Sequence, residues 1–396
     1  MKEREHTESY ISRAAACLME TYNRSPVVFS RGQGVRLWDV DGREYLDFTA
    51  GLAVCSLGHC HPDVVTAVKK QAETLMHVSN LYHIETQIRL AELLTAVSFA
   101  DRVFFCNSGA EANEGAIKLA RKFGHEKLNG RYELITMEHS FHGRTLATIT
   151  ATGQSKFQKG FEPLPEGFRY VPFNDLSALE YAIGDKTAGV LVEPILAEGG
   201  VRVPDKGYLR GVRQICDNHN LLMILDEVQV GMGRTGTLFA YEQEDIRPDI
   251  MTLAKALGNG FPIGALLATN EVASAFTPGS HASTFGGNPL AMAAAEAVLN
   301  IFLSEPILEH CREIGAYFFE ALKSQMANRG IVRDIRGRGL LIGVELSVDA
   351  VDIVRKCREE GVLIAMAGPQ ILRFIPPLTV TKDDVDRVLD VLDKVM

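Results

Sequence analysis

Lys255 closes the apolar run DIMTLAK and is followed by the glycine- and proline-rich stretch ALGNGFPIGA. A lysine so placed is partly desolvated, which lowers its pKa and frees an amine for Schiff-base chemistry. The plainer alternative is a stem that packs while its ammonium reaches water. Asp226 closes a second apolar run, LLMILD. A carboxylate at a strand's carboxyl end can hold the proton of a heterocyclic nitrogen, which an electron-accepting pyridinium ring requires. In NSGAEANEGAIKLAR, Ser108, Gly109 and Ala110 open a helix with Glu111 and Glu114 in its first turns. Small residues there let backbone amides point at an anion, and the helix dipole favours a phosphate. Serine with glutamate three residues on is equally a capping box. Each feature alone has a structural explanation; their combination, at the ends of successive strands, is harder to dismiss.

Other patterns carry less. GMGRTG satisfies G-x-G-x-x-G, but its first glycine does not close the strand, no clear helix follows, and Asp249 precedes a strand instead of ending one. That excludes a dinucleotide fingerprint. His59, Cys60 and His61 in GHCHP look like metal ligands, yet no second group has matching spacing, and no metal is expected. The DVDG turn starts like a calcium loop, without the acidic ligands that must follow. His139 and His142 suit the lining of a site better than metal ligation.

Short apolar runs position these groups: RVFFCN, ELITME, GVLVEP, LLMILDEV and DIMTLAK, with helix-like stretches between them. Such runs suit strands buried on both faces, and strands alternating with helices imply a mostly parallel sheet. Ligands gather beyond the carboxyl ends of strands in a sheet of that kind. Upstream, VRLWDVDGREYLDF alternates around an Asp-Gly turn and reads as a hairpin. Downstream of FGGNPLAMAAAEAVLNIF the order is helix, a strand pair in VRDIRGRGLLIGVELS, helix, ILRFIPPL and a last helix. The expected division is an N-terminal segment at 1–58, a large cofactor-binding domain at 59–290 and a C-terminal small domain at 291–396.

A chain of 396 residues is long enough for two cores. Its net charge of −9 argues against nucleic acid or an anionic membrane as the main partner. The N-terminus carries charges where a secretion signal needs an apolar run, and seven cysteines lie without framework spacing. The expected compartment is the cytoplasm, with reduced thiols.

SGAEANE, FHGRT, LDEVQ-x-G-x-GRTG, LAKALGNGFPIGA and STFGGNPLA, in this order, resemble the class III (omega-amino) aminotransferases over nearly the whole chain. Within the class the likeness is strongest to the acetylornithine-using members. The resemblance implies pyridoxal phosphate as cofactor and the α/β fold-type I architecture. That means a large domain with a mainly parallel sheet, a smaller α+β domain from both termini, and a homodimer with active sites at its interface. Lys255 would carry the cofactor and shuttle the proton, and Asp226 would meet the pyridinium nitrogen. Gln229 would sit near the phenolic oxygen, Phe141 would stack on the ring, and Ser108, Gly109 and Ala110 would hold the phosphate. Thr284, beside Ser283, would reach phosphate or substrate from the other subunit.

The same resemblance implies how substrate is held. Arg144 would grip the carboxylate far from the transferred amine, and Arg373 the α-carboxylate of glutamate; a planar guanidinium matches a carboxylate bidentately. Glu198 would neutralise Arg373 while an ω-amine donor is bound, supported by Glu193. The family more often has Gln-Gly where Leu196-Ala197 stand here. The implied reaction moves the δ-amino group of N2-acetylornithine to 2-oxoglutarate. Ornithine, succinylornithine or 4-aminobutyrate are the rival donors. Ornithine-specific members carry a tyrosine in the segment aligned with AGLAVCSLGH, and Leu52 better suits an acylated nitrogen. Cys55 replaces an asparagine common in the acetylornithine group.

Overall fold

The apolar runs become strands whose side chains are enclosed on both sides. In a computed structural model, residues 6–326 and 329–396 are described. Residues 1–5, part of the charged N-terminal stretch, and 327–328, within the expected C-terminal domain, lie outside them. In chain order the first strands are β1 (Phe29–Gln33), β2 (Arg36–Asp39) and β3 (Glu44–Asp47). There follow β4 (Arg102–Cys106), β5 (Glu133–Met137), β6 (Phe168–Val171), β7 (Thr187–Val192), β8 (Leu222–Asp226), β9 (Ile250–Leu253) and β10 (Gly264–Ala268). The last are β11 (Val332–Arg338), β12 (Leu341–Leu346), β13 (Val362–Leu363), β14 (Ala365–Met366) and β15 (Ile371–Phe374).

The central sheet has seven strands in the order β4-β10-β9-β8-β7-β5-β6. The run from β6 to β9 is parallel, and β10 is antiparallel to both its neighbours. Every residue of β7, β8, β9 and β10 is buried, as strands covered on both faces must be. The helix Gly109–Lys127 covers one face, burying Ala112, Ala116, Leu119, Ala120 and Phe123 along one stripe. Truncating Leu119 to alanine there would cost about 2–5 kcal/mol, because the stripe is closed against the sheet.

The expected hairpin is β2–β3, with Trp38 opposite Glu44 and Gly42 at φ 92° in its turn. Asp39 is spent on that hairpin: it accepts the Arg43 amide at 2.8 Å and the Tyr45 hydroxyl at 3.0 Å. Strand β13 pairs with β3, so the two ends of the chain share the sheet β1-β2-β3-β13. The remaining sheet, β11-β12-β15-β14, contains the strand pair expected around Gly339 and carries Arg373 on β15. Among the described residues no single helix is long and apolar enough to cross a membrane.

Candidate active site

Asp226 ends β8 beside Thr252 of parallel β9, and Lys255 follows the end of β9 by two residues. Parallel direction thus brings carboxylate and amine to the same edge of the sheet. Lys255 stands at φ 44°, opening a short 3-10 turn, Lys255–Leu257. A non-glycine residue costs energy at that backbone angle and persists where its surroundings over-determine it.

Ser108, Gly109, Ala110, Phe141, Arg144, Glu193, Asp226, Gln229 and Lys255 line one cavity of about 450 Å³. A larger hollow, about 1050 Å³, lies beneath the N-terminal helix Thr7–Cys17 and includes none of these groups. Ser108 caps the helix Gly109–Lys127, its hydroxyl accepting the Glu111 amide at 3.1 Å. Glu111 turns back to accept the Asn107 amide at 2.8 Å. Capping uses the Glu111 amide and leaves other first-turn amides, which have no intrahelical acceptor, available to an anion.

Asp226 is 4% exposed and accepts three hydrogen bonds: from Asn113 Nδ2 at 2.7 Å, His142 Nδ1 at 2.8 Å and the Val228 amide at 3.0 Å. Burial lowers the Lys255 pKa; Glu198 acts upward and Arg373 downward, and the balance stays low. Glu193 bridges two loops, accepting the Phe141 amide at 2.8 Å and the Ala197 amide at 3.3 Å. Burial, then the charge of Asp226, pushes its carboxyl well above the usual range. Burial also works upward on Glu198, but Arg373 and then Lys255 outweigh it and hold that carboxyl low.

Arg373 Nη1 lies 2.7 Å from Glu198 Oε1, 3.1 Å from Gln229 Oε1 and 3.3 Å from the Ala197 carbonyl. Gln229 links this cluster to the cavity, donating to Glu198 at 3.3 Å. Leu196 and Ala197 are buried; Leu196 pairs with Arg202 through the backbone, and Ala197 meets Glu193 and Arg373 through its own amide and carbonyl. The loop therefore uses main-chain atoms where the family more often has Gln-Gly.

Arg144 is exposed, with its guanidinium carbon 4.1 Å from the centre of the Phe157 ring. Thr284 and Ser283 line a different hollow, so one chain does not bring Thr284 to Lys255. Ser283 reaches the cavity wall through Asn107, whose Nδ2 is 3.3 Å from its hydroxyl. Leu52, at φ 67°, belongs to a left-handed turn just before Val54, which lines the cavity. Cys55 packs its sulfur toward Gly260. His59 is engaged by Asp47 at 2.7 Å, and among the described residues no group of three or more His, Cys, Asp or Glu could hold a metal.

Sequence reasoning missed Asn113 and Val228. Asn113 was detectable as a polar residue four positions after Gly109, on the helix face that must meet the sheet. Val228 offered no signal, because any apolar residue could follow Glu227.

These groups fit pyridoxal phosphate. The helix start at Gly109 offers amides to a phosphate, Asp226 offers a carboxylate to a ring N–H, and a low-pKa lysine faces both across one cavity. An alanine Cβ at Gly109 would come within 2.6 Å of Val228 Cγ1, so the backbone approaches the cavity as closely as the wall allows.

Comparison with known proteins agrees. The Aminotransferase class-III family matches residues 18–396. An acetylornithine aminotransferase of Caldanaerobacter subterraneus subsp. tengcongensis is 54% identical over 96% of this chain and 97% of its own. The ornithine aminotransferase from Toxoplasma gondii, in a structure with partial occupancy of PLP at its active site, superposes with a TM-score of 0.95. It is 35% identical and covers 100% of this chain and 96% of that one. The N-acetylornithine aminotransferase from Stenotrophomonas maltophilia gives a TM-score of 0.83 at 41% identity, over 97% of this chain and 98% of that one. A lysine, a carboxylate and the start of a helix around one cavity, with full-length likeness to such enzymes, mean that the chain belongs to the class III aminotransferases and is a pyridoxal-phosphate-dependent transaminase.

Proposed function

We propose that this enzyme moves the δ-amino group of N2-acetylornithine to 2-oxoglutarate, yielding N-acetylglutamate semialdehyde and glutamate, as arginine biosynthesis requires. The observation that carries the reading is the Arg373–Glu198 pair beside the Lys255 cavity. An ω-amine donor needs that guanidinium masked, and an α-amino donor needs it free. The names of relatives about half identical to this chain support the acetylated donor.

Pyridoxal phosphate supplies an aldehyde that condenses with primary amines and a ring that draws electrons from the carbon beside the nitrogen. Lys255 would hold the cofactor and would move the proton to and from the substrate carbon. Asp226 would accept the ring N–H, Gln229 would stand by the phenolic oxygen, and Phe141 would cover the ring. Ser108, Gly109 and Ala110 would bind the phosphate, joined by Thr284 from a second copy of the chain. Arg144, with Ser283 of the second copy, would hold the carboxylate remote from the reacting amine. Arg373 takes the α-carboxylate of glutamate after Glu198 swings away. The working unit on this reading is a homodimer. Seven free cysteines suit the reducing cytoplasm.

Ornithine is the rival donor, favoured by the high structural likeness to ornithine aminotransferases. Leu52, with no polar atom for a charged α-amine, supports the acylated one. Steady-state kinetics with acetylornithine, succinylornithine, ornithine and 4-aminobutyrate decide. A kcat/KM for ornithine above that for acetylornithine would refute the proposal.

A further inference from the structure

Asn113 sits one helical turn after Gly109, is 1% exposed, and joins three elements through one amide. Its Nδ2 donates to Asp226 Oδ2 at 2.7 Å and to the His142 carbonyl at 2.8 Å, and its Oδ1 accepts the Thr252 hydroxyl at 2.8 Å. The amide can stand only one way round. Flipping it would turn its oxygen toward a carboxylate and a carbonyl, both acceptors. Thr252 itself is fully buried, and its strand position is directly beside Asp226. A hydroxyl on β9 thus fixes an amide on the helix, and the amide fixes a carboxylate on β8.

The geometry points to Asn113, oriented by Thr252, as a positioning residue that sets the Asp226 carboxylate relative to the anion-holding start of its own helix. The inference rests on the pyridoxal phosphate reading of the cavity and goes beyond it. Residues four apart share a helix face, so any shift of Gly109 is carried to Asn113 and through it to Asp226. The second Nδ2 bond ties in the loop that carries Phe141 and Arg144. Removing the amide strips Asp226 of one buried donor and leaves the Thr252 hydroxyl without its acceptor. A merely structural asparagine would weaken every ligand of the cavity alike. A positioning one weakens the ligand whose ring nitrogen meets Asp226.

The test titrates the full-length chain, stripped of cofactor, with pyridoxal phosphate and with its carbocyclic analogue bearing C–H in place of the ring nitrogen. The wild type should prefer pyridoxal phosphate. In Asn113→Ala its Kd should rise about tenfold or more, while that of the analogue changes less than about threefold. Thr252→Val keeps shape and removes only the hydroxyl, so it should shift the same ratio by a smaller factor, and Thr252→Ser should restore it. If Asn113→Ala does not fold, the two Thr252 variants carry the test. An unchanged ratio in the folded variants overturns the positioning role and leaves the cofactor reading standing. A wild type without preference between the ligands overturns both.

Discussion

Arg373 Nη1 is 2.7 Å from Glu198 Oε1, and the two side chains differ in freedom: 2% of the arginine is exposed against 27% of the glutamate. The guanidinium is fixed on β15 while the carboxylate stands on a loop, so Glu198 is the partner that can move. Removing one member of a desolvated charge pair costs roughly 2–5 kcal/mol. Arg373→Ala should therefore slow the glutamate half-reaction by about 30-fold or more and spare the acetylornithine one. Glu198→Ala should shift preference toward α-amino donors, and Arg144→Ala should impair both half-reactions. Single-turnover absorbance after mixing each variant with either donor reads these effects. Equal loss with both donors in Arg373→Ala would eliminate the switch.

Lys255→Ala should lower turnover by roughly a thousandfold or more, because amine condensation and proton transfer use the same group. The variant should still retain cofactor, through the helix start and Asp226. Turnover within a factor of ten of the wild type would remove Lys255 from the chemistry.

Asp226→Asn should bind cofactor and lose most activity, since a neutral amide cannot match the charge of a protonated ring nitrogen. A residual rate above about a tenth would mean a contribution under ~1.4 kcal/mol, too little for a charge-assisted bond in so buried a place.

Gly109→Ala tests the close approach of the helix start. The added Cβ would lie 2.6 Å from Cγ1 and 3.0 Å from Cγ2 of Val228, a β-branched side chain with little rotamer freedom. Overpacking should cost about 1–3 kcal/mol in chemical denaturation and weaken pyridoxal phosphate binding about tenfold. Unaltered affinity would mean that the wall of the cavity yields more than the packing suggests.

His59 gives a pH signature. Burial pushes its pKa down, but the bond to Asp47 and the neighbouring Cys55 sulfur outweigh it and raise it from 6.5 to about 10. A histidine whose folded pKa is raised stabilises fully below its unfolded value and loses that contribution as pH climbs through the folded one. The Tm advantage of wild type over His59→Gln, about 1–3 kcal/mol in stability at pH 6, should shrink between pH 6.5 and about 10. A difference constant across that window would rule out the charged pair.

Asp226 and Lys255 were legible because each closes an apolar run, and a run buried on both faces needs no partner information to be read as a strand. The hairpin was legible for a similar local reason, its Asp-Gly turn. Strand β10 was not read, since GALLA lacks β-branched residues and follows a glycine-rich loop; burial between β4 and β9 makes it a strand. The positive φ of Lys255 has no mark in composition, because the turn after β9 sets it. Which residue types end the strands and open the helix could be read from the chain alone, for those depend on patterns a few residues long. No local pattern shows that Arg373 meets Glu198 across 175 positions, a pairing that only the family resemblance implied, or that Asn113 joins Thr252 to Asp226, or that Thr284 lines a hollow other than that of Lys255; the folded chain shows all three. Those relations depend on which strands become neighbours, a choice made by burying the whole sheet at once.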